Sequence, residues 1–262
     1  NFNEAFFYKA EIFQELGLYR SAENNYNKID KAHNLYIDGQ KNIILNNNKD
    51  NKFFLDEKKL KELIKINSND NSLKILLAFL YRSNKFYNQA LIEYSKLINQ
   101  KNIEQNLLWQ MLYMRAICYE RVNDWKNAEK DLLKALDIKF DQPQVLNYLA
   151  YGWLERDLNY DESLKMLELA SSKEPQSFYI MDSLGWAYYK KNELIKALKI
   201  MEKVIEIAPY EAISLDHLGD IYFSLGRKRE AFFMWQQALE LLESEDEIID
   251  QLKFKIRKYN AG

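Results

Sequence analysis

The groups in this sequence that could do chemistry are few and poorly placed for catalysis. Histidine occurs twice, at positions 33 and 217, far apart along the chain, and cysteine once, at 118. His217 has Asp216 and Asp220 close by, a set that could hold one weakly bound metal ion. The ligands that would complete such a site are missing, so contact with a peptide is the better reading of His217, and no metal is expected. Cys118 lies between Ile117 and Tyr119 on an apolar helix face, which favours packing over a reactive thiol. There is no His-Glu-x-x-His, no Gly-x-Ser-x-Gly and no Gly-Lys-Ser/Thr phosphate loop. The expectation is a protein that is not an enzyme, with no catalytic residues and no cofactor.

Those groups ride on a chain that repeats itself. Met181, Leu184, Gly185, Tyr188, Ala197, Met201 and Val204 recur 34 residues later as Leu215, Leu218, Gly219, Tyr222, Ala231, Trp235 and Ala238. Pro175 stands the same 34 residues before Pro209. A fixed period of that length marks a stack of repeated units and outranks any local reading. Two antiparallel helices must approach closely in each unit, and a small residue at the crossing permits it: Ala10, Ala78, Ala116, Ala150, Gly185 and Gly219. A second small position, at Ala22, Ala90, Ala128, Ser163, Ala197 and Ala231, does the same on the second helix. Proline ends the second helix because it cannot continue one.

The register runs back to the start of the chain, with Phe6, Lys9, Ala10 and Phe13 on a first helix and Gly17 at its turn. From 29 to 68 the pattern blurs into one degenerate unit interrupted by a polar loop from Asn46 to Lys52. A second polar loop covers Asn99–Asn106. The array accounts for residues 1–243 in about seven units. Residues 244–262 form a C-terminal capping helix, begun by the capping box Ser244 to Glu247, with Ile248, Ile249, Leu252 and Ile256 on one side.

Bulk properties agree. Apolar residues make up 47 % of the chain and charged residues 29 %, the balance of a folded protein rather than a disordered one. A net charge of −2 with no face-wide block of Lys and Arg gives no case for nucleic-acid binding. The longest apolar runs fall short of the ~20 residues a membrane span needs. The basic stretch Lys253–Lys258 reads as dipole complementarity at a helix end. The chain opens inside a helical pattern, so it is read as a piece of a longer protein whose export segment, and any membrane anchor, would lie before Asn1.

This spacing resembles the tetratricopeptide repeat. The resemblance implies an all-α, right-handed superhelical solenoid of helix pairs. The later part of the chain is similar to one alphaproteobacterial subgroup through phrases such as Tyr119-Glu120-Arg121, Leu146-Asn147-Tyr148-Leu149-Ala150-Tyr151 and Asp182-Ser183-Leu184-Gly185-Trp186. That likeness implies a relation to periplasmic lipoprotein adaptors that hold a carboxy-terminal processing protease and bring it substrates such as cell-wall hydrolases. It also implies a place in the bacterial cell envelope.

In the tetratricopeptide fold the first helix of each pair lines the concave face. The positions expected there include Tyr113, Asn147, Tyr151, Tyr179, Asp182, Trp186, Tyr189, Asp216, Asp220 and Phe223. Aromatics with a polar rim suit recognition of a protein partner's peptide or helix. The aspartates make the face mildly acidic, so a basic or amphipathic segment is the expected ligand, and a carboxylate tail would be repelled. Two other readings stand beside the adaptor: a structural subunit of a larger envelope assembly, and a non-catalytic region of a longer enzyme.

Overall fold

The computed structural model describes residues 2–47, 52–100, 103–242 and 248–260. Among the described residues every regular element is a helix, fifteen in all, with no strand. The chain divides into two compact units, Asn1–Lys134 and Ala135–Gly262.

In the first unit α1 (Phe2–Glu15) and α2 (Tyr19–Tyr26) form an antiparallel pair. Next come α3 (Tyr36–Asn47) and α4 (Phe53–Ile66), then α5 (Asn71–Ser83) with α6 (Tyr87–Ile98), then α7 (Gln105–Arg121) and the start of α8 (Trp125–Ile138). The second unit contains α9 (Pro143–Leu154) with α10 (Tyr160–Lys173), α11 (Phe178–Lys190) with α12 (Leu194–Ile207), and α13 (Ala212–Ser224) with α14 (Lys228–Glu240). It ends in α15 (Ile249–Asn260).

The small residues sit where the helices cross. Ala10, Ala22, Ala78, Ala90, Ala116, Ala128, Ala150, Ser163, Ala197 and Ala231 are all fully buried. At Gly219 the approach is closest: a Cβ there would fall 2.5 Å from Cδ1 of the Trp235 indole. Six of the described turns within pairs are built one way. A residue takes the left-handed conformation at Gly17, Lys85, Asn123, Asp157, Asn192 and Gly226, with Asn159 a second in the α9–α10 turn. The next residue's N–H then closes on the carbonyl five residues back, as in Leu18 to Phe13 at 2.8 Å and Arg227 to Tyr222 at 2.9 Å. That is the Schellman closure, which satisfies carbonyls a helix end would otherwise leave bare. Helix α10 stops two residues before Pro175 and α12 two before Pro209.

Buried side chains of the first unit gather around Tyr26 and Ile43 and around Leu73, Leu77 and Tyr94. In the second unit Leu215, Leu218 and Trp235 gather with Leu252 of α15, and Ile248 and Ile256 pack on the same cluster. The side of α15 expected to be apolar therefore faces the repeat before it. The capping box at Ser244–Glu247 lies outside the described residues, as do residues 48–51 of the first polar loop and 101–102 of the second. That second loop is shorter than its sequence indicates, because Gln105 and Asn106 already belong to α7. Cys118 is fully buried, and burial pushes its thiol up to about 11, which fits packing. No described helix is long and apolar enough to cross a membrane.

One buried ion pair ties α6, α7 and α8 within the first unit. The Arg115 guanidinium donates to both Asp131 oxygens at 2.6 and 2.8 Å and to Ser95 Oγ at 3.0 Å. This fork-to-fork geometry satisfies both charges where neither can reach water freely.

Candidate binding face

The period of about one repeat brings equivalent positions of α9, α11, α13 and α15 side by side, so polar side chains reach laterally from one first helix to the next. Trp186 Nε1 donates to Glu155 Oε1 at 2.8 Å, and Lys190 Nζ to Asp157 Oδ1 at 2.7 Å. His217 Nδ1 lies 3.1 Å from Asp182 Oδ2. Lys255 of α15 reaches back to Asp216 Oδ1 at 2.6 Å and Asp220 Oδ2 at 2.8 Å, and Trp235 Nε1 donates to the other Asp220 oxygen at 3.1 Å. The Trp186 ring is stacked between Tyr189, at 4.7 Å, and His217, at 4.1 Å between centroids.

These contacts revise what the aspartates do. Asp182, Trp186, Asp216 and His217 are buried, and Asp220 is half-buried. The expected acidic face is largely matched from within, by His217 at Asp182 and by Lys255 at Asp216 and Asp220. The structure therefore removes the basis for favouring a basic partner. It also removes the weak metal site, since the three candidate ligands are engaged elsewhere. Among the described residues no group of three or more His, Cys, Asp and Glu side chains is placed to hold a metal ion. His217 is likewise no surface contact for a peptide.

Electrostatics follow from burial and pairing together. Burial alone would push His217 down, but the adjacent Asp182 carboxylate, with Asp216 and Glu155 behind it, holds it above its ordinary value. Burial raises Asp220, Lys255 opposes that, and Asp216 adds to it. Lys255 itself is pushed down by burial and pulled further up by Asp220 and Asp216, so its charge is retained. The floor of the face is a set of matched charges.

What remains available to a partner is mainly aromatic. Tyr179 is 42 % exposed and Phe223 39 %, while Tyr151, Tyr189 and Asn147 are half-buried. Tyr113, on α7, is half-buried in the first unit and does not join this group. Asn147 Oδ1 is buried without a hydrogen-bond partner, an acceptor with nothing to accept. At the α15 end Tyr189, Phe223, Trp235 and Phe254 wall a cavity of about 180 Å³, with Asp220, Lys255 and Lys258 also lining it. That is room for one inserted side chain. From sequence Lys255 and Phe254 stand only within the basic stretch Lys253–Lys258, read as dipole complementarity and not as part of this face. The available signal was distance: Lys255 lies 35 and 39 residues beyond Asp220 and Asp216, about one period on.

Residues 179–211 and 212–242 each match the tetratricopeptide-repeat family model. A TPR repeat-containing protein of Pseudomonas aeruginosa is 29% identical over 110 residues, 42% of this chain and 18% of the relative, so the chain spans less than a fifth of that protein's length. A tetratricopeptide repeat protein from Parabacteroides merdae has the same fold, with a TM-score of 0.71 over 99% of both chains at 19% identity. YrrB, a TPR protein with an unusual peptide-binding site, superposes with a TM-score of 0.53 over 75% of this chain and 97% of its own, also at 19% identity. The helix pairs with their small-residue crossings, the two matched repeats and the shared fold lead to one conclusion: the chain has the all-α solenoid fold of tetratricopeptide-repeat proteins, and residues 179–242 are two repeats that match that family.

Proposed function

We propose that the chain is a binding scaffold that takes a segment of a protein partner on the first-helix face of its second unit. The observation that supports this is the contrast between floor and rim. The charged floor is internally matched and held by stacking, while Phe223 and Phe254 stay exposed around a cavity sized for one side chain and Tyr179 is exposed at the start of α11. Rigid aromatics give large contact area at small entropy cost, and a pre-formed floor reduces what binding must order.

The finer reading is an adaptor of the bacterial cell envelope that holds a periplasmic protease or a cell-wall hydrolase. It is supported by the likeness of the 119–186 phrases to that adaptor subgroup. Two experiments test the two levels. Capture of partners from native membranes is compared between the wild type and a Tyr179→Ala/Phe223→Ala variant, whose exposed positions leave the fold intact. Loss of specific partners is expected, and an unchanged set would reject the face. The residues encoded before Asn1 are expected to carry an export or lipoprotein signal, and a plain cytosolic start would end the envelope reading while leaving the scaffold one.

A further inference from the structure

A second cavity, remote in sequence from this face, lies in the first unit where the repeat pattern breaks down. Its volume is about 600 Å³, within the range of small-molecule sites, about 300–1,000 Å³. It is walled by the segment joining α2 to α3, by the start of α3 and by α4. The connection between second and first helix is long here, from Asn27 to Leu35, whereas Ala208–Glu211 suffices between α12 and α13. The long connection is nonetheless ordered. Asp30 accepts from the Ala32 N–H at 2.9 Å, His33 N–H closes on the Asp30 carbonyl, and Tyr36 N–H closes on that of His33. The Leu35 N–H donates to His33 Nδ1 at 3.3 Å, which leaves the proton of a neutral ring on Nε2.

The walls have two characters. Leu63, Ile37 and Ile66 supply apolar surface. Lys59, Lys31, Tyr36 and Asn34 supply donors. Lys59 is the unusual member, because it is half-buried yet makes no hydrogen bond or ion pair among the described residues. Asp56 on its own helix, Glu23 on α2 and Glu62 on the exposed rim are the carboxylates around it, and none pairs with it. Burial pushes its ammonium below the usual value, with Asp56 and Glu23 only partly restoring it. A cation partly withdrawn from water without a partner carries a cost that a bound anion would reduce.

We propose that this cavity binds an organic carboxylate, with the anionic group at Lys59 and an apolar body along Leu63 and Ile66. A single charge fits better than a phosphate dianion, because Glu62 on the rim offsets one of the two lysines. The carboxylate could come from a free acid or from the C-terminus of a peptide, and the probes separate the two. Octanoate represents the first and N-acetyl-leucyl-leucine the second, with octylamine and inorganic phosphate as controls, titrated against the whole 262-residue chain by NMR or calorimetry. Saturable binding of at least one carboxylate is expected, weakened at least about tenfold in Lys59→Gln, as loss of a charge-assisted bond implies. Glu62→Gln is expected to tighten it. Thermal melting of both variants checks that the fold is kept. The proposal is overturned if neither carboxylate saturates, if Lys59→Gln binds as well as the wild type, or if octylamine or phosphate binds equally.

Discussion

The two matched repeats at 179–242 and the divergent pair formed by α3 and α4 are made of similar helices but leave different groups unmatched. In the repeats, acids and bases pair across neighbouring first helices: Asp182 with His217, and Asp216 and Asp220 with Lys255. In the divergent pair, Asp56 is 1 % exposed, one of its oxygens accepts from Asn47 Nδ2 at 3.1 Å, and the other has no partner. Lys59, one turn on, is also unpaired among the described residues. Repetition explains the difference. Equivalent helices placed side by side put each polar position opposite its equivalent about one period on, whereas a pair out of register lacks those counterparts. What the divergent pair gains is a longer connection and a cavity.

Four measurements test this contrast. The largest effect is expected from Lys255→Met, which strips the cation from two acids at once. It should cost about 2–4 kcal/mol in urea unfolding, near the lower part of the range for breaking buried pairs because the site is partly open to water. Protease cleavage within α15 should rise with it, and an unchanged midpoint would mean that the bridge is no more than a surface pair. Next come the two crossing glycines. Gly219→Ala should cost about 1–2 kcal/mol, because the added Cβ meets the rigid indole of Trp235. Gly185→Ala should cost less, since the Met201 Sδ and Cγ it meets belong to an unbranched side chain that can shift more easily than an indole. Equal losses at both sites would contradict the packing described.

In the divergent pair the sign should reverse. Burial raises the Asp56 carboxyl, so its charged form opposes folding once pH exceeds the ordinary carboxylate value. Asp56→Asn should then stabilise the chain by about 1 kcal/mol at pH 7, with the gain vanishing at acid pH, where both states of the wild type are protonated. A loss of stability at pH 7 would show that the carboxylate is matched after all. The smallest effect is a pH dependence at His217. Its folded value lies above the ordinary 6.5, so its contribution is fully present below that value and is lost as pH rises through the folded one. Urea midpoints should therefore fall from pH 6 to pH 9, and His217→Gln should flatten that part of the slope. A slope unaffected by the substitution would remove the ion pair with Asp182.

Much of the fold was legible because it is written in short-range spacing. The small residues at the crossings, the prolines beyond α10 and α12, and the apolar side of α15 follow from period and sterics. Lys85 was less legible, since nothing in its type announces the left-handed turn that Gly17 and Gly226 make easy. The binding face was legible only as a set of positions. Tyr179 and Phe223 are exposed where the template puts the concave surface, but Trp186, Asp182 and Asp216 at the same kind of position are buried.

That helices pair, where each crosses its partner and where each stops can be read from spacing alone, because these depend on residues within one period of each other. Which polar side chains meet is visible only in the folded chain. Lys255 neutralises acids a whole repeat away, and His217 slips between Trp186 and Asp182 instead of facing outward. Pairing of that kind depends on which side chains reach across a helix interface and on how fully water is excluded there. Neither is encoded in the spacing of any one helix, so an aspartate that reads as a binding residue in the sequence is, in the folded chain, one half of an internal ion pair.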